Sequence, residues 1–217
     1  MKFCSACGSG RLERAVPEGD DRLRAVCLDC GAIHYENPRN VVGCLVEQTL
    51  DGGRDGLLLC RRAIEPCRGL WTLPAGFLEL GESTIAGAAR ETLEEANAKV
   101  RVTAPFATLD LVHIGQVYHL FRAQLSEPGF SAGPESLEVR WFGLDELPYG
   151  ELAFPVMHIA LELYTRDVAD RVPRLHAGAL HWNGEGSRFD ARNYRLDRDL
   201  LLDGLHGEAG QGGGAPR

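Results

Sequence analysis

The sequence predicts an α/β domain, a mixed sheet lying between helices, with a small cysteine-built module ahead of it. Three observations predict this. Short apolar runs rich in β-branched residues recur between Val41 and Leu144. Two segments, Thr84 to Ala96 and Pro155 to Asp170, carry apolar residues at helical spacing. Two Cys-x-x-Cys pairs are complete by Cys30. The chain has 217 residues, enough for one ordinary domain and a small appendage.

The cysteine module spans residues 1–34. Cys4 and Cys7 are followed by Gly8, and Cys27 and Cys30 by Gly31, so each pair forms a tight knuckle that supplies two thiolates. Four thiolates at this spacing suit a tetrahedral zinc ion. With all four positions filled the zinc is expected to be structural, supplying folding energy that so few residues cannot obtain from a core. Pro17 and Gly19 mark a hairpin turn between the knuckles, and residues 35–40 read as a linker.

The main domain is expected over 35–203. Val41 to Val46 and Leu57 to Cys60 flank a glycine-aspartate loop at Asp51 to Gly56 and read as a hairpin. Trp71 to Phe77 is a short strand and turn. The first helix runs from Thr84 to Ala96, with Ser83 as N-cap and Asn97 closing it in the left-handed conformation. Ile85, Ala88, Ala89, Thr92 and Ala96 make its inner face. Strands follow at 100–102, 107–112 and 117–124, with a turn at 114–116. Residues 129–138 form a loop and 139–144 a strand. The second helix, 155–170, is apolar at Val156, Ile159, Leu163 and Tyr164. Residues 204–217 are glycine-rich and expected to be disordered.

Net charge is −8, which disfavours nucleic acid as a partner and is compatible with a hard cation site. No run approaches the ~18 apolar residues of a membrane span. Cys4 and Cys7 stand where a signal segment would begin, so a cytoplasmic location is expected. Of seven cysteines, Cys44, Cys60 and Cys67 follow no pairing pattern; the first two lie in apolar runs and read as small buried hydrophobes.

The stretch from Gly76 to Ala98 carries the chemistry. Glu91, Glu94 and Glu95 stand at i, i+3 and i+4 and share one helix face. Like charges at that spacing repel by ~0.2–0.5 kcal/mol per pair unless neutralised, and divalent cations with oxygen ligands would do so. Arg90 is placed to clasp Glu82 bidentately, tying the preceding loop to the helix.

This stretch resembles the Nudix box, G-x5-E-x7-R-E-U-x-E-E-x-G-U, with U a bulky aliphatic. Gly76, Glu82, Arg90, Glu91, Glu94 and Glu95 match; Thr92 and Ala98 replace aliphatics and Asn97 replaces the second glycine. The resemblance implies a Nudix α/β/α sandwich and a diphosphate hydrolase using Mg2+ or Mn2+. It implies Glu91, Glu94, Glu95 and the Ala75 carbonyl as magnesium ligands. Gly76, Glu82 and Arg90 would be the structural clasp. A further catalytic carboxylate would come from the downstream loop, Glu135 or Glu138. It leaves room for a homodimer.

A cysteine ribbon before such a box is similar to two branches. The NADH pyrophosphatases carry a Ser-Gln-Pro-Trp-Pro-Phe-Pro motif downstream; this chain has Leu109 to Tyr118 there instead. The flanking sequence resembles plant-type FAD and ADP-sugar diphosphatases more closely, through Cys30 to Pro38, Gly69 to Phe77, Gly133 to Glu138 and Leu152 to Phe154. The implied substrate is FAD or ADP-ribose, a dinucleotide-type small molecule, with NADH hydrolysis or non-catalytic sensing of nucleotide sugars as alternatives. Trp71, Phe77, Phe106 and Tyr118 are candidates for stacking on the substrate, although core packing also suits them, and Arg61, Arg62 and Arg68 for meeting its phosphates.

Overall fold

The computed structural model describes residues 1–202, with side chains to residue 197. The glycine-rich segment 204–217 lies outside them. The chain divides into two compact units, Met1–Pro38 and the remainder from Arg39.

In the first unit, β1 (Leu12–Ala15), β2 (Arg24–Cys27) and β3 (Ile33–His34) form an antiparallel sheet in that order. The expected hairpin turn joins β1 to β2, with the Asp20 N–H donating to the Pro17 carbonyl at 3.1 Å. Only Cys4 and Cys27 are buried in this unit. It therefore has no hydrophobic core of its own, and its interior consists of sulfur.

The second unit contains β4 (Arg39–Leu50), β5 (Arg54–Arg62), β6 (Trp71–Thr72), β7 (Ala75–Phe77), α1 (Thr84–Ala96), β8 (Val100–Leu111) and β9 (Gln116–Leu125). It continues with β10 (Ser136–Gly143), α2 (Pro155–Asp170), β11 (Leu175–Trp182) and β12 (Tyr194–Leu202). Among the described residues the sheet runs β10-β5-β4-β9-β8-β11-β12, with β6 beside β5 and β7 beside β4. The pairs β4·β9 and β8·β11 are parallel and the other pairings antiparallel, which makes the sheet mixed, as expected.

Both faces of this sheet are covered, and the central strands are apolar throughout for that reason. Val41, Leu45, Leu57 and Leu59 pack in the cluster that includes Val156, Ile159 and Leu163 of α2. Their neighbours Val42, Cys44, Val46, Leu58 and Cys60 pack with Ala88 and Ala96 of α1. The period of two in β4 and β5 thus divides one apolar run between two layers. Cys44 and Cys60 are fully buried, and burial pushes the Cys44 thiol up to about 11.

Some expectations need correction. Ile85 is 53% exposed: it keeps the phase of the inner face but stands in the first turn of α1, where nothing covers it. The buried positions of α1 are Gly87, Ala88, Thr92, Glu95 and Ala96. Residues 100–111 form one strand rather than two; register shifts near Ala104 and Pro105 accommodate the proline, which has no N–H to donate. β4 begins inside the expected linker, at Arg39. β11 and β12 were not foreseen. Alternate residues of β11 are buried, but they are His176, Gly178 and Leu180, and only the last is apolar and large. Among the described residues no helix is long and apolar enough to cross a membrane.

Candidate active site and cysteine centre

Two elements bring the box residues together. β7 pairs with β4 through Gly76 opposite Val42, which lays Ala75 and Gly76 beside α1. The helix is closed at its start by Ser83, whose hydroxyl accepts from the Ala86 N–H at 3.1 Å. Glycine at 76 leaves room for the Glu91 carboxylate, which a Cβ there would displace. One turn further along, Glu95 is 6% exposed, and its Oε2 accepts from the Ala75 N–H at 3.0 Å.

Arg90 is the hub. Its Nε and Nη2 donate to the two Glu82 oxygens at 3.0 and 2.7 Å. Its Nη1 donates to Glu91 at 2.8 Å and Glu94 at 2.9 Å, and its Nη2 also reaches the Phe77 carbonyl at 3.1 Å. The Glu79 N–H adds a bond to Glu82 at 2.8 Å. Hydrogen bonds from Arg90 and then Glu79 hold the Glu82 carboxyl down to about 2. Burial pushes Glu91 up against the pull of Arg90. Burial pushes Glu95 up to about 8; the Ala75 N–H opposes this, and the charges of Glu91 and Glu135 add to it. The three helix glutamates do share a face, but Arg90 draws Glu91 and Glu94 toward itself. Among the described residues, the four cysteines are the group of potential ligand atoms lying within 4.8 Å of one another.

The downstream loop is stitched to the end of α1. The Ser131 N–H donates to the Ala96 carbonyl at 2.8 Å and the Gly133 N–H to the Glu95 carbonyl at 2.9 Å. Gly133 passes so close that a Cβ would overlap the Glu94 carbonyl oxygen. Glu135 follows, its carbonyl accepting from the Ala63 N–H at 2.7 Å, and its charge acts on both Glu91 and Glu95. Glu138 instead faces Arg61 at 3.8 Å. Of the two loop carboxylates, Glu138 is held by an arginine, whereas Glu135 stands two residues from the Gly133 contact with the end of α1.

In the first unit the cysteine sulfurs approach in cross pairs, Cys4 to Cys30 at 3.7 Å and Cys7 to Cys27 at 3.6 Å. Zinc–sulfur bonds of ~2.3 Å in a tetrahedron place sulfurs ~3.8 Å apart, so this cage fits the ion. His34, which the sequence did not single out, places Nε2 3.3 Å from the Cys4 sulfur.

Comparison with known proteins agrees with this geometry. A family description named NUDIX domain matches residues 37–163, and one named Nudix N-terminal matches residues 2–36. The chain belongs to the Nudix family. A NUDIX hydrolase from Nitrosomonas europaea, known from its crystal structure, is 48% identical, covers 82% of this chain and 98% of its own, and superposes with a TM-score of 0.76. Two curated relatives are named NAD-capped RNA hydrolase NudC. The one from Stutzerimonas stutzeri is 29% identical over 164 residues, 75% of this chain and 55% of the relative. The one from Haemophilus influenzae is 26% identical over 177 residues, 75% of this chain and 61% of the relative. The chain therefore spans little more than half the length of these curated relatives.

Departures from the Nudix box now have visible surroundings. Thr92 is fully buried and its hydroxyl donates to the Ala88 carbonyl at 2.8 Å, so the polar atom is satisfied inside the helix. Ala98 is fully buried as well. Asn97 takes φ 46 and ψ 28, the left-handed conformation expected at the second glycine of the box.

The aromatic candidates separate by exposure. Trp71 is 4% exposed and packs edge-on against Phe142 at 4.8 Å. Tyr118 is 7% exposed with its hydroxyl on Gln116, and Phe106 is fully buried against Tyr164 and His176. These three belong to the core and offer no open face for stacking. Phe77, at 47% exposed, does, and Arg39 lies over its ring at 4.9 Å. Arg39 was missed because it falls in what reads as a linker. Arg61 is tied to the Gly69 carbonyl at 2.8 Å, and Arg62 to the Pro66 carbonyl at 2.9 Å. The Arg62 charge reaches Glu95 and Tyr118, and the Arg39 charge reaches Tyr118. An acidic helix face bordered by arginines is thus the electrostatic outline of this Nudix site.

Proposed function

We propose that the chain hydrolyses the diphosphate bridge of a nucleoside diphosphate joined to a second group. The observation that carries this is Glu95: a carboxylate buried beside Glu91, bonded to a single backbone N–H, with no cationic side chain paired to it among the described residues. A hard cation is the counter-charge such a donor set fits. Glu91, Glu94, Glu95 and the Ala75 carbonyl would hold it, with Glu135 as the additional carboxylate. Magnesium or manganese bound there would draw charge from the diphosphate oxygens and acidify water.

The protein's own groups do the rest. Arg90 keeps Glu82 at the head of the loop while Glu94, the most exposed of its three partners, is free to turn toward the ion. Glu135 would orient or deprotonate the attacking water. Arg39 and Arg62 face phosphate charge, and Phe77 offers a stacking surface. Water attacks phosphorus and the bridging oxygen leaves with the other phosphate.

The substrate reading is FAD, giving AMP and FMN, or ADP-ribose, giving AMP and ribose 5-phosphate; the absence of the NADH motif at Leu109 to Tyr118 supports it. A second reading, hydrolysis of NADH or of an NAD-type end, is favoured by the name of the curated relatives. The net charge of −8 weighs against an RNA-borne substrate. Incubation with FAD, ADP-ribose and NADH plus magnesium, followed by product chromatography, tests both readings. AMP should appear fastest from FAD or ADP-ribose. A tenfold preference for NADH, ~1.4 kcal/mol of transition-state binding, would reverse the order of the readings. AMP from none of the three would remove both substrate readings. We further propose one structural zinc on Cys4, Cys7, Cys27 and Cys30.

A further inference from the structure

The structure assigns Asn97 a task that the glycine it replaces in the box could not perform: its side chain clamps the 131–135 loop, which carries Glu135, to the end of α1, which carries Glu94 and Glu95. The inference rests on the site reading above.

Three sets of contacts carry it. The Asn97 Nδ2 group donates to the Ser131 hydroxyl and the Ala132 carbonyl, both at 3.0 Å, and lies 3.4 Å from the Ser131 carbonyl. The backbone of the same loop satisfies two carbonyls at the helix end, Glu95 and Ala96, through the Gly133 and Ser131 N–H groups. A helix end leaves such carbonyls without intrahelical partners, and here the loop takes the place of the usual local cap. On its far side the loop is fixed by the Ala63 N–H on the Glu135 carbonyl. Two residues along from Gly133, which touches the Glu94 carbonyl, stands Glu135.

The left-handed conformation at 97 favours glycine or asparagine. Glycine would satisfy the backbone and leave the loop held to the helix by its two main-chain bonds alone. Asparagine satisfies the backbone and also donates to the loop. Asn97 is therefore a positioning residue that acts through Glu135, and its position in the turn after Glu94 and Glu95 makes helix and loop one rigid support.

Asn97→Gly isolates the side chain, because glycine keeps the helix termination. Mn2+ binding to the full chain, followed by electron paramagnetic resonance without substrate, reads the site directly. Asn97→Gly should weaken Mn2+ about fivefold, the loss expected for one or two hydrogen bonds. In a Glu135→Gln background the same change should alter affinity less than about twofold, since the group it positions is gone. Asn97→Asp, which turns a carboxylate toward the Ala132 carbonyl, should be no better than glycine. Equal weakening in both backgrounds, or none in the parent, overturns the inference. Failure of the site reading itself is separate: Glu95→Gln would then bind Mn2+ as the parent does.

Discussion

Replacing Glu95 with glutamine tests how the site stores charge. The substituted side chain would keep the volume and leave an amide oxygen to accept the Ala75 N–H, which Glu95 now accepts at 3.0 Å. What changes is ionisation. Burial raises the Glu95 carboxyl from an ordinary 4.5 to about 8. Below about 4.5 the group is neutral in both folded and unfolded chains, and its effect on stability is complete. Between 4.5 and 8 the unfolded chain ionises and the folded one does not, so the magnesium-free protein loses stability as pH rises; above 8 the loss levels off. The gap of ~3.5 in pKa corresponds to ~5 kcal/mol, at ~1.4 kcal/mol for each pKa unit. Water entry on ionisation trims this to ~2–4 kcal/mol. At ~2–4 °C per kcal/mol for a chain of this size, the Tm difference is on the order of 10 °C. In magnesium-free buffer at about pH 9, Glu95→Gln should therefore melt on the order of 10 °C above the parent, and at about pH 4.5 the two should coincide. Added magnesium should stabilise the parent far more than the variant. The assay is a series of calorimetric scans across that pH range. Parallel curves for parent and variant would refute the reasoning, because they would mean that Glu95 ionises freely in the folded chain.

Other consequences can be checked directly. Glu91→Gln should lower kcat at least ~100-fold with an unchanged far-ultraviolet spectrum; near-parent turnover would remove Glu91 from the ligand set. Gly76→Ala should reduce activity more than ~10-fold in steady-state assays, because its methyl group displaces the Glu91 carboxylate; parental kinetics would mean that Glu91 has no fixed place. Metal analysis should find about one zinc per chain, lost on converting Cys4 and Cys7 to serine; a ribbon equally protected from proteolysis without metal would contradict a structural zinc. Arg90→Lys, which keeps charge but not the bidentate fork, should lower the Tm by several degrees and weaken turnover; a silent change would show that Glu82 needs only a nearby cation.

The sequence carries some of this architecture plainly and some not at all. The α1 termini are local chemistry, a serine hydroxyl at one end and a left-handed asparagine at the other, and both are legible in residue type. The four cysteines and the Glu82–Arg90 pair are legible through spacing. β11 is not, because His176 and Gly178 occupy buried positions where the pattern demands large apolar side chains. His176 is admitted there by Asp167, whose carboxylate lies 3.0 Å from its Nε2. Trp71 and Phe77 look alike as aromatic candidates in sequence; only the sheet shows one facing Phe142 and the other solvent. Glu135 and Glu138 could not be separated for a related reason. Their difference depends on where the loop crosses the end of α1, a contact between segments far apart in the chain.

The parallel pairing of β4 with β9 has a cost during synthesis. Val41 to Val46 is a continuous run of buried residues, and Val41 pairs with Tyr118, 77 positions later. A ribosome adding ~5–20 residues per second needs roughly 4–15 s to deliver that partner. Through that interval β4 can pair with β5 and β7 but keeps one apolar edge open, the kind of edge that recruits strands from other nascent chains. Expression at lower temperature, or with holdase chaperones in excess, should therefore raise the yield of folded protein more than any change made to the surface of the finished molecule.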